Sequence, residues 1–371
     1  MTGTGKKLRY GMVGGGLSSY IGDVHRHAAQ MDDLAELCAG CFSRRFEASL
    51  ETAEAWGVDR TRVYHDYKEM ADAESAREDG IDFVSIMTPN SSHFEIAKYF
   101  MERGIHILSM KIPTFDPAEY DEMIELVEKN DVICQVELEM HYNPVVKRLR
   151  RILAEGELGK IHAIQATNIT LSPVWAFPWQ GVPEASYGKR VPLRDGDPRF
   201  RGGALCDHPH IFDLIRWLTG SDFDYVYSEV APNLRKDLQV EDMILVNGKM
   251  KDGTAFLFDP SWSRMEERLP VPGPGWEVFP KRMEVNLTIT GEKGTIVCDC
   301  FGPNVYHNGA PNDRFTVQYT YFDEWIGLID EFVACIREHK QPTINLRWHR
   351  QTIDCMNACY KSVESKLPAK V

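Results

Sequence analysis

The sequence predicts an α/β protein of two domains: an N-terminal Rossmann-type parallel sheet, then an α/β domain with an open, largely antiparallel sheet. Three observations carry this. Apolar runs and helix-competent segments alternate through residues 1–135. A three-glycine turn follows the first apolar run. In residues 136–371 the pattern changes to consecutive strands joined by short turns.

The stretch Leu8 to Gly22, LRYGMVGGGLSSYIG, places a short apolar strand before Gly14 and Gly16, with a helix after them. A phosphate-binding turn needs this order, because glycine lets the backbone approach a pyrophosphate and the next helix points its N–H groups at the anion. Ser19 occupies the place of a third glycine, and the next glycine is Gly22. Gly14, Gly16, Ser18 and Ser19 are the candidate cofactor contacts here. A second strand is expected from Ala35 to Phe42, and a helix from Glu47 to Trp56. VYHDY, from Val63 to Tyr67, reads as a short strand or turn. Ile81 to Met87 is a continuous apolar run, as in a strand buried on both faces. Thr88-Pro89-Asn90 breaks it, and a helix runs from Ser91 to Arg103. Ile105 to Ser109 and Val132 to Leu138 complete the parallel sheet, with a helix from Asp116 to Asn130 between them.

The second half opens with an amphipathic helix, Pro144 to Glu155, and an alternating strand, Lys160 to Ile169. Residues 172–203 form a long irregular segment with Trp175, Trp179 and several arginines. A helix from Pro209 to Leu218 follows. Strands come next at Phe223 to Val230, Asp242 to Met250, Thr254 to Ser261, Arg282 to Thr290 and Gly294 to Asp299. The chain closes on two helices.

Bulk properties narrow the function. With 42 Lys and Arg against 55 Asp and Glu, the net charge is −13, which argues against nucleic acid or an anionic membrane as the main partner. MTGTGKK has no apolar core of a signal peptide, so a cytoplasmic location is expected. Nine cysteines lack framework or zinc spacing and read as reduced thiols in a core.

Function in parallel sheets gathers at the carboxyl ends of strands. Those ends are Gly14 to Gly16, Ser43 to Arg45, Thr88 to Asn90 and Met110 to Pro113. No acid follows strand two to hold a ribose hydroxyl. Ser43 and Arg44 suit a 2′-phosphate instead, so NAD or NADP is expected with NADP favoured; the alternative is that Arg44 and Arg45 are solvated helix-start residues.

The ordered set of these motifs resembles the glucose–fructose oxidoreductase / inositol dehydrogenase / rhizopine catabolism family (Gfo/Idh/MocA). It is carried by the glycine turn, Thr88-Pro89-Asn90 with His93, Gly104 to Lys111, Gly156-Glu157-Leu158-Gly159, and GGALCDHPHIFDLIRWLTG from Gly202. The resemblance implies a bound nicotinamide dinucleotide, contacted by Thr88, Asn90, His93 and Lys111 among others, and hydride transfer at a sugar, glycoside or polyol carbon. Lys111 falls on the lysine of the family's Glu-Lys-Pro motif, where an ammonium stabilises charge on the reacting oxygen. Met110 and Ile112 replace its neighbours. Without the glutamate, Lys111 is expected to lose its proton more easily.

Asp207 and His210 fall near the family's Asp-x-x-x-His pair, one residue shorter. His210 is the expected base, with His208 a rival because of the shortened spacing. Asp207 is expected to cap the helix that starts at Pro209, and Asp213 to orient His210. The family pattern needs no metal. His141, Tyr142 and Trp175 join Lys111, Asp207 and His210 as expected substrate contacts. A homodimer or homotetramer is expected through the uncovered sheet face. Two other functions stay open: a glycosidase or lyase that oxidises its substrate transiently, and a redox-silent sugar-binding regulator.

Overall fold

Five strands, Leu8–Gly14 (β1), Ala35–Cys41 (β2), Phe83–Met87 (β3), His106–Ser109 (β4) and Cys134–Val136 (β5), pair in the order β2-β1-β3-β4-β5. Every pairing is parallel. The structure is a computed structural model and describes residues 6–171, 203–234, 236, 238, 240–264, 284–300, 304–309, 313–316 and 323–371. Residue 175 and the rest of 172–202 lie outside them, so the expected Trp175 contact does too.

The chain divides into two compact units. The first is Met1–Glu139 with Tyr321–Arg350, and the second is Met140–Thr320 with Gln351–Val371. In the first unit the crossover segments carry helices Tyr20–Met31, Phe46–Trp56, Tyr67–Ser75, His93–Met101 and Pro117–Lys129. Their starts follow local chemistry. The Asp66 carboxylate accepts from Lys68 N at 2.8 Å, and Asp116 accepts from Ala118 N at 2.8 Å with Pro117 in the first turn. β3 is buried along its whole length, which explains its unbroken apolar run. The 63–67 segment is not a ladder strand: a single bridge joins Val63 to Gly40 after a 3-10 turn at Arg60–Arg62.

Residues 321–350, which the sequence reading placed in the second domain, pack in the first unit. Phe332 sets its ring edge-on to Phe83 at 5.1 Å, and Ile344 O accepts from Val136 N at 3.1 Å. Gln341 Nε2 donates to Val132 O at 2.8 Å. The apolar spacing of the helix Asp323–Glu338 gave no sign of which sheet it covers.

The second unit holds a nine-stranded sheet. Its strands are Ile161–Leu171 (β6), Phe223–Val230 (β7), Ile244–Met250 (β8), Ala255–Arg264 (β9), Glu284–Gly291 (β10), Gly294–Asp299 (β11), Asn304–Gly309 (β12), Asp313–Thr316 (β13) and Ala369–Lys370 (β14). They run β13-β12-β11-β10-β6-β9-β8-β7-β14. Only the β6–β9 pairing is parallel. The sheet is therefore open and largely antiparallel as expected, with three short strands, β12 to β14, that the sequence reading missed. Phe212, on the helix Pro209–Thr219, packs edge-on against Phe258 of β9 at 4.9 Å. Leu245, Leu257, Val297 and Tyr306 are exposed on the strands. All nine cysteines are free thiols, and Cys41 and Cys38 differ in burial as opposite strand faces should.

Candidate active site

The glycine turn is shaped by close approach. Gly14 has φ +75°, and a Cβ on it would lie 2.7 Å from Met87 O. Ser19, extended, caps the helix Tyr20–Met31 and accepts from Gly22 N at 3.4 Å. The helix therefore starts later than a G-x-G-x-x-G pattern implies. Its closest packing falls at Gly22, where a Cβ would sit 1.8 Å from Gly15 O. Gly22 thus does the work of the third glycine, and Ser19 caps. Gly15 and Gly16 are buried, while Leu17 and Ser18, between the glycines and the helix N-terminus, are exposed. This arrangement fits a pyrophosphate.

At the end of β2, Ser43 Oγ accepts from Arg45 N at 3.2 Å, and Ser49 Oγ accepts from Ser43 N at 2.9 Å. That ties the Ser43 turn to the next helix and leaves Arg44 exposed. At the end of β3, Thr88 Oγ1 accepts from Ser92 Oγ at 2.9 Å, and Asn90 opens a 3-10 turn, Asn90–Ser92, ahead of the helix His93–Met101.

His93 was expected to contact the cofactor, but its ring is turned into the protein. It is fully buried, with Nδ1 2.9 Å from Ile112 O and Nε2 2.6 Å from Thr88 O. Burial holds its imidazole below the ordinary range, and the two carbonyls oppose that shift. The ring braces the ends of β3 and β4 together. Lys111, half-buried, stands between Met110, whose N–H donates to Ile86 O at 3.2 Å, and Ile112. The Lys111–Ile112 peptide is cis.

The second unit carries the other group of candidate residues. Asp207 ends a short helix, Ala204–Asp207, and His208 follows in a non-helical conformation. The expected cap is therefore wrong: His208, not Asp207, occupies the cap position of Pro209–Thr219, and no side-chain cap bond forms there. The Asp207 carboxylate instead accepts from Trp262 Nε1 at 2.9 Å, deep in the unit. Glu241 holds the other end of that short helix. Its carbonyl accepts from Ala204 N at 2.9 Å and its Oε1 from Leu205 N at 3.2 Å, while Tyr360 OH donates to it at 2.9 Å. Sequence reading missed Glu241 and Trp262, because their roles arise only when β8 and β9 fold over the helix.

His210 lies in the first turn after Pro209 and is 7% exposed. His208 Nε2 is 3.5 Å from Thr170 Oγ1. Asp213 was expected to orient His210, but the histidine found on its Oδ2 is His141, through Nε2. Asp213 Oδ1 accepts from Thr352 Oγ1 at 2.9 Å. Both members of the His141–Asp213 pair are buried, and Trp217 meets the His141 ring edge-on at 4.7 Å. Tyr142, beside it, is buried with Lys147 Nζ 5.5 Å from its ring centre. Among the described residues no cluster of His, Cys, Asp and Glu is arranged to hold a metal ion.

Comparison with known proteins agrees with this architecture. Residues 8–138 match the family model described as an oxidoreductase family with NAD-binding Rossmann fold. Residues 146–297 match the GFO/IDH/MocA C-terminal domain. An uncharacterized oxidoreductase of Bacillus subtilis, YfiI, is 38% identical over 160 residues, which span 43% of this chain and 41% of that protein. Myo-inositol 2-dehydrogenase of Thermotoga maritima is 22% identical over 98% of both chains. Among solved structures, an inositol dehydrogenase homolog from Azotobacter vinelandii, complexed with NADH and myo-inositol, superposes with a TM-score of 0.82 at 19% identity. That match covers 99% of this chain and 98% of the other. With both of the family's domain models matched in order along it, the chain belongs to the GFO/IDH/MocA oxidoreductase family.

Proposed function

We propose that the chain oxidises a hydroxyl-bearing carbon of a sugar, glycoside or polyol, using a nicotinamide dinucleotide. The observation that carries this is the first unit's sheet, which ends β1 in the closely packed glycine turn and β4 at Lys111, next to the Ile112 carbonyl that His93 meets. The dinucleotide, held by Gly14, Gly16, Ser18, Ser19, Ser43, Arg44, Thr88 and Asn90, supplies the hydride acceptor when bound. Lys111 donates a hydrogen bond to the substrate hydroxyl oxygen and stabilises the negative charge that grows there. His210 takes the hydroxyl proton as the C–H bond gives up its hydride, leaving a carbonyl. Asp207, anchored by Trp262, supports the pair. His141 and Tyr142 serve as substrate contacts. The relatives' names make a cyclic polyol such as an inositol the first class to test.

The test follows reduced nicotinamide absorbance on a panel of sugars, glucosides and inositols. A lasting rise with one class, lost in His210→Ala but kept in His208→Ala, is the expected result. Substrate consumption without a lasting rise would overturn it in favour of transient oxidation, and the reverse pattern of variants would move the base to His208.

The exposed Arg44 favours NADP as the cofactor. Arg44→Ala is expected to weaken NADPH binding by about 10- to 100-fold, the range of a charged hydrogen bond to phosphate, and to leave NADH nearly unchanged. Fluorescence titration of both nucleotides checks this; equal losses would remove the 2′-phosphate role. We further propose a homodimer or homotetramer through the sheet face that carries Leu245, Leu257, Val297 and Tyr306. Among the described residues, no helix is long and apolar enough to cross a membrane.

A further inference from the structure

Met110 stands where the family motif has a glutamate, yet the first unit brings carboxylates towards Lys111 from another strand. β5 lies beside β4 in parallel register, with Ser109 opposite Val136. Glu137 N–H donates to Ser109 O at 2.8 Å, so the chain leaving β5 starts alongside the chain leaving β4. Lys111 is two residues past Ser109, and Glu139 is two residues past Glu137. Glu139 is 8% exposed, while Glu137 and Glu324 are each 1% exposed.

These three acids are not equivalent. Glu137 has a partner: its Oε2 is 2.7 Å from Nε2 of His25, whose ring meets Trp325 edge-on at 5.3 Å. Glu139 faces its like charges. Burial pushes its carboxyl well above the usual carboxylate range, and Glu324 and Glu137 push the same way. The Lys111 ammonium opposes them. A carboxylate taken out of water is costly to ionise without a cation beside it. Lys111 is a cation that acts on Glu139 in this way. Glu137 after β5, with His25 of the helix Tyr20–Met31 behind it, and Glu324 of the helix Asp323–Glu338 act on it as well.

We propose that Glu139 is the carboxylate that holds and orients the Lys111 ammonium, standing in for the motif glutamate absent at Met110. It is a positioning residue, and the proposal rests on the reading of Lys111 as the lysine that binds the reacting oxygen. It stands against the expectation that Met110 leaves Lys111 easier to deprotonate, since it supplies a partner from the end of the neighbouring strand.

The experiment needs no substrate. The full-length protein is exposed to an amine-acylating reagent over a range of pH, and acylation at Lys111 is followed peptide by peptide by mass spectrometry. A carboxylate favours the ammonium form, so its removal lets Lys111 shed its proton at lower pH. In Glu139→Gln the midpoint for Lys111 is expected to fall by about one pH unit, a tenfold loss of proton affinity. Glu139→Asp, which keeps the charge, is expected to recover most of that loss. An unchanged midpoint in a folded Glu139→Gln protein overturns the proposal.

The wild-type chain supplies a second arm should that variant not fold. With Glu139 as partner, Lys111 acylates at neutral pH no faster than the exposed Lys129; faster acylation overturns the pairing. Turnover in Lys111→Ala tells the two readings apart. Activity that survives that variant sinks the role of Lys111 in the reaction and leaves the measured pairing intact.

Discussion

Lys111→Ala is expected to lower kcat/KM by about 10²- to 10³-fold, the loss that follows removal of one preorganised donor to a developing oxyanion. Nucleotide affinity should change far less, because Lys111 is one expected contact among many and the glycine turn at the end of β1 does not depend on this side chain. The split is what makes the result informative. The backbone around Lys111 is held independently of its ammonium: Met110 N–H donates to Ile86 O at 3.2 Å, and His93 Nδ1 lies 2.9 Å from Ile112 O. Truncation therefore removes the charge and leaves its scaffold. Steady-state kinetics with the best substrate, beside a fluorescence titration with NADH, provides the check. A kcat/KM within about threefold of wild type would remove Lys111 from the chemistry, since so small a change is worth well under 1.4 kcal/mol.

Gly22→Ala is expected to damage folding and nucleotide binding together. The added Cβ would lie 1.8 Å from Gly15 O, 2.5 Å from Gly15 C and 2.6 Å from Gly15 Cα. All three atoms are backbone, so no side-chain rotation relieves the overlap, and the helix Tyr20–Met31 must move off the turn. Overpacking of this kind costs roughly 1–3 kcal/mol, and at about 2–4 °C per kcal/mol the melting temperature should fall by several degrees. Because the displaced helix end is also the proposed anion site, NADH affinity is expected to fall about tenfold or more. Wild-type melting and NADH binding in Gly22→Ala would mean that the turn and helix are not packed as described.

The parallel half of the fold was legible because its signal is local. A strand buried on both faces has to be apolar throughout, and Phe83–Met87 is. Aspartates that cap helices announce themselves two residues before the amides they accept from, as Asp66 and Asp116 do. The candidate residues were also legible one at a time, since Lys111, Asp207, His208, His210, His141 and Asp213 all bear recognisable chemistry.

Their partners were not legible. Asp207 looked like a cap because it lies just before Pro209, but it ends another short helix, Ala204–Asp207, and its carboxylate accepts from Trp262, 55 residues away. Asp213 lies one turn from His210, yet the ring it meets through Oδ2 is His141, 72 residues away. His93 resembled a ligand contact because it follows Thr88-Pro89-Asn90. Its burial between two carbonyls depends on where β4 runs. β13 and β14, of four and two residues, were too short to register as a pattern, and β12, as long as β11, sets its apolar Val305 and Tyr306 side by side instead of alternating.

The return of residues 321–350 to the first unit bears on the order in which the molecule can be made. A nascent chain that has emerged as far as β5 already contains every strand of the nucleotide-binding sheet. It still lacks Phe332 against Phe83, Gln341 on Val132 and Ile344 on Val136. Those groups emerge only after the whole nine-stranded sheet apart from β14 has been synthesised. The unit that begins synthesis is thus completed by nearly the last part of the chain to appear, and no N-terminal fragment ending before residue 321 contains its full core.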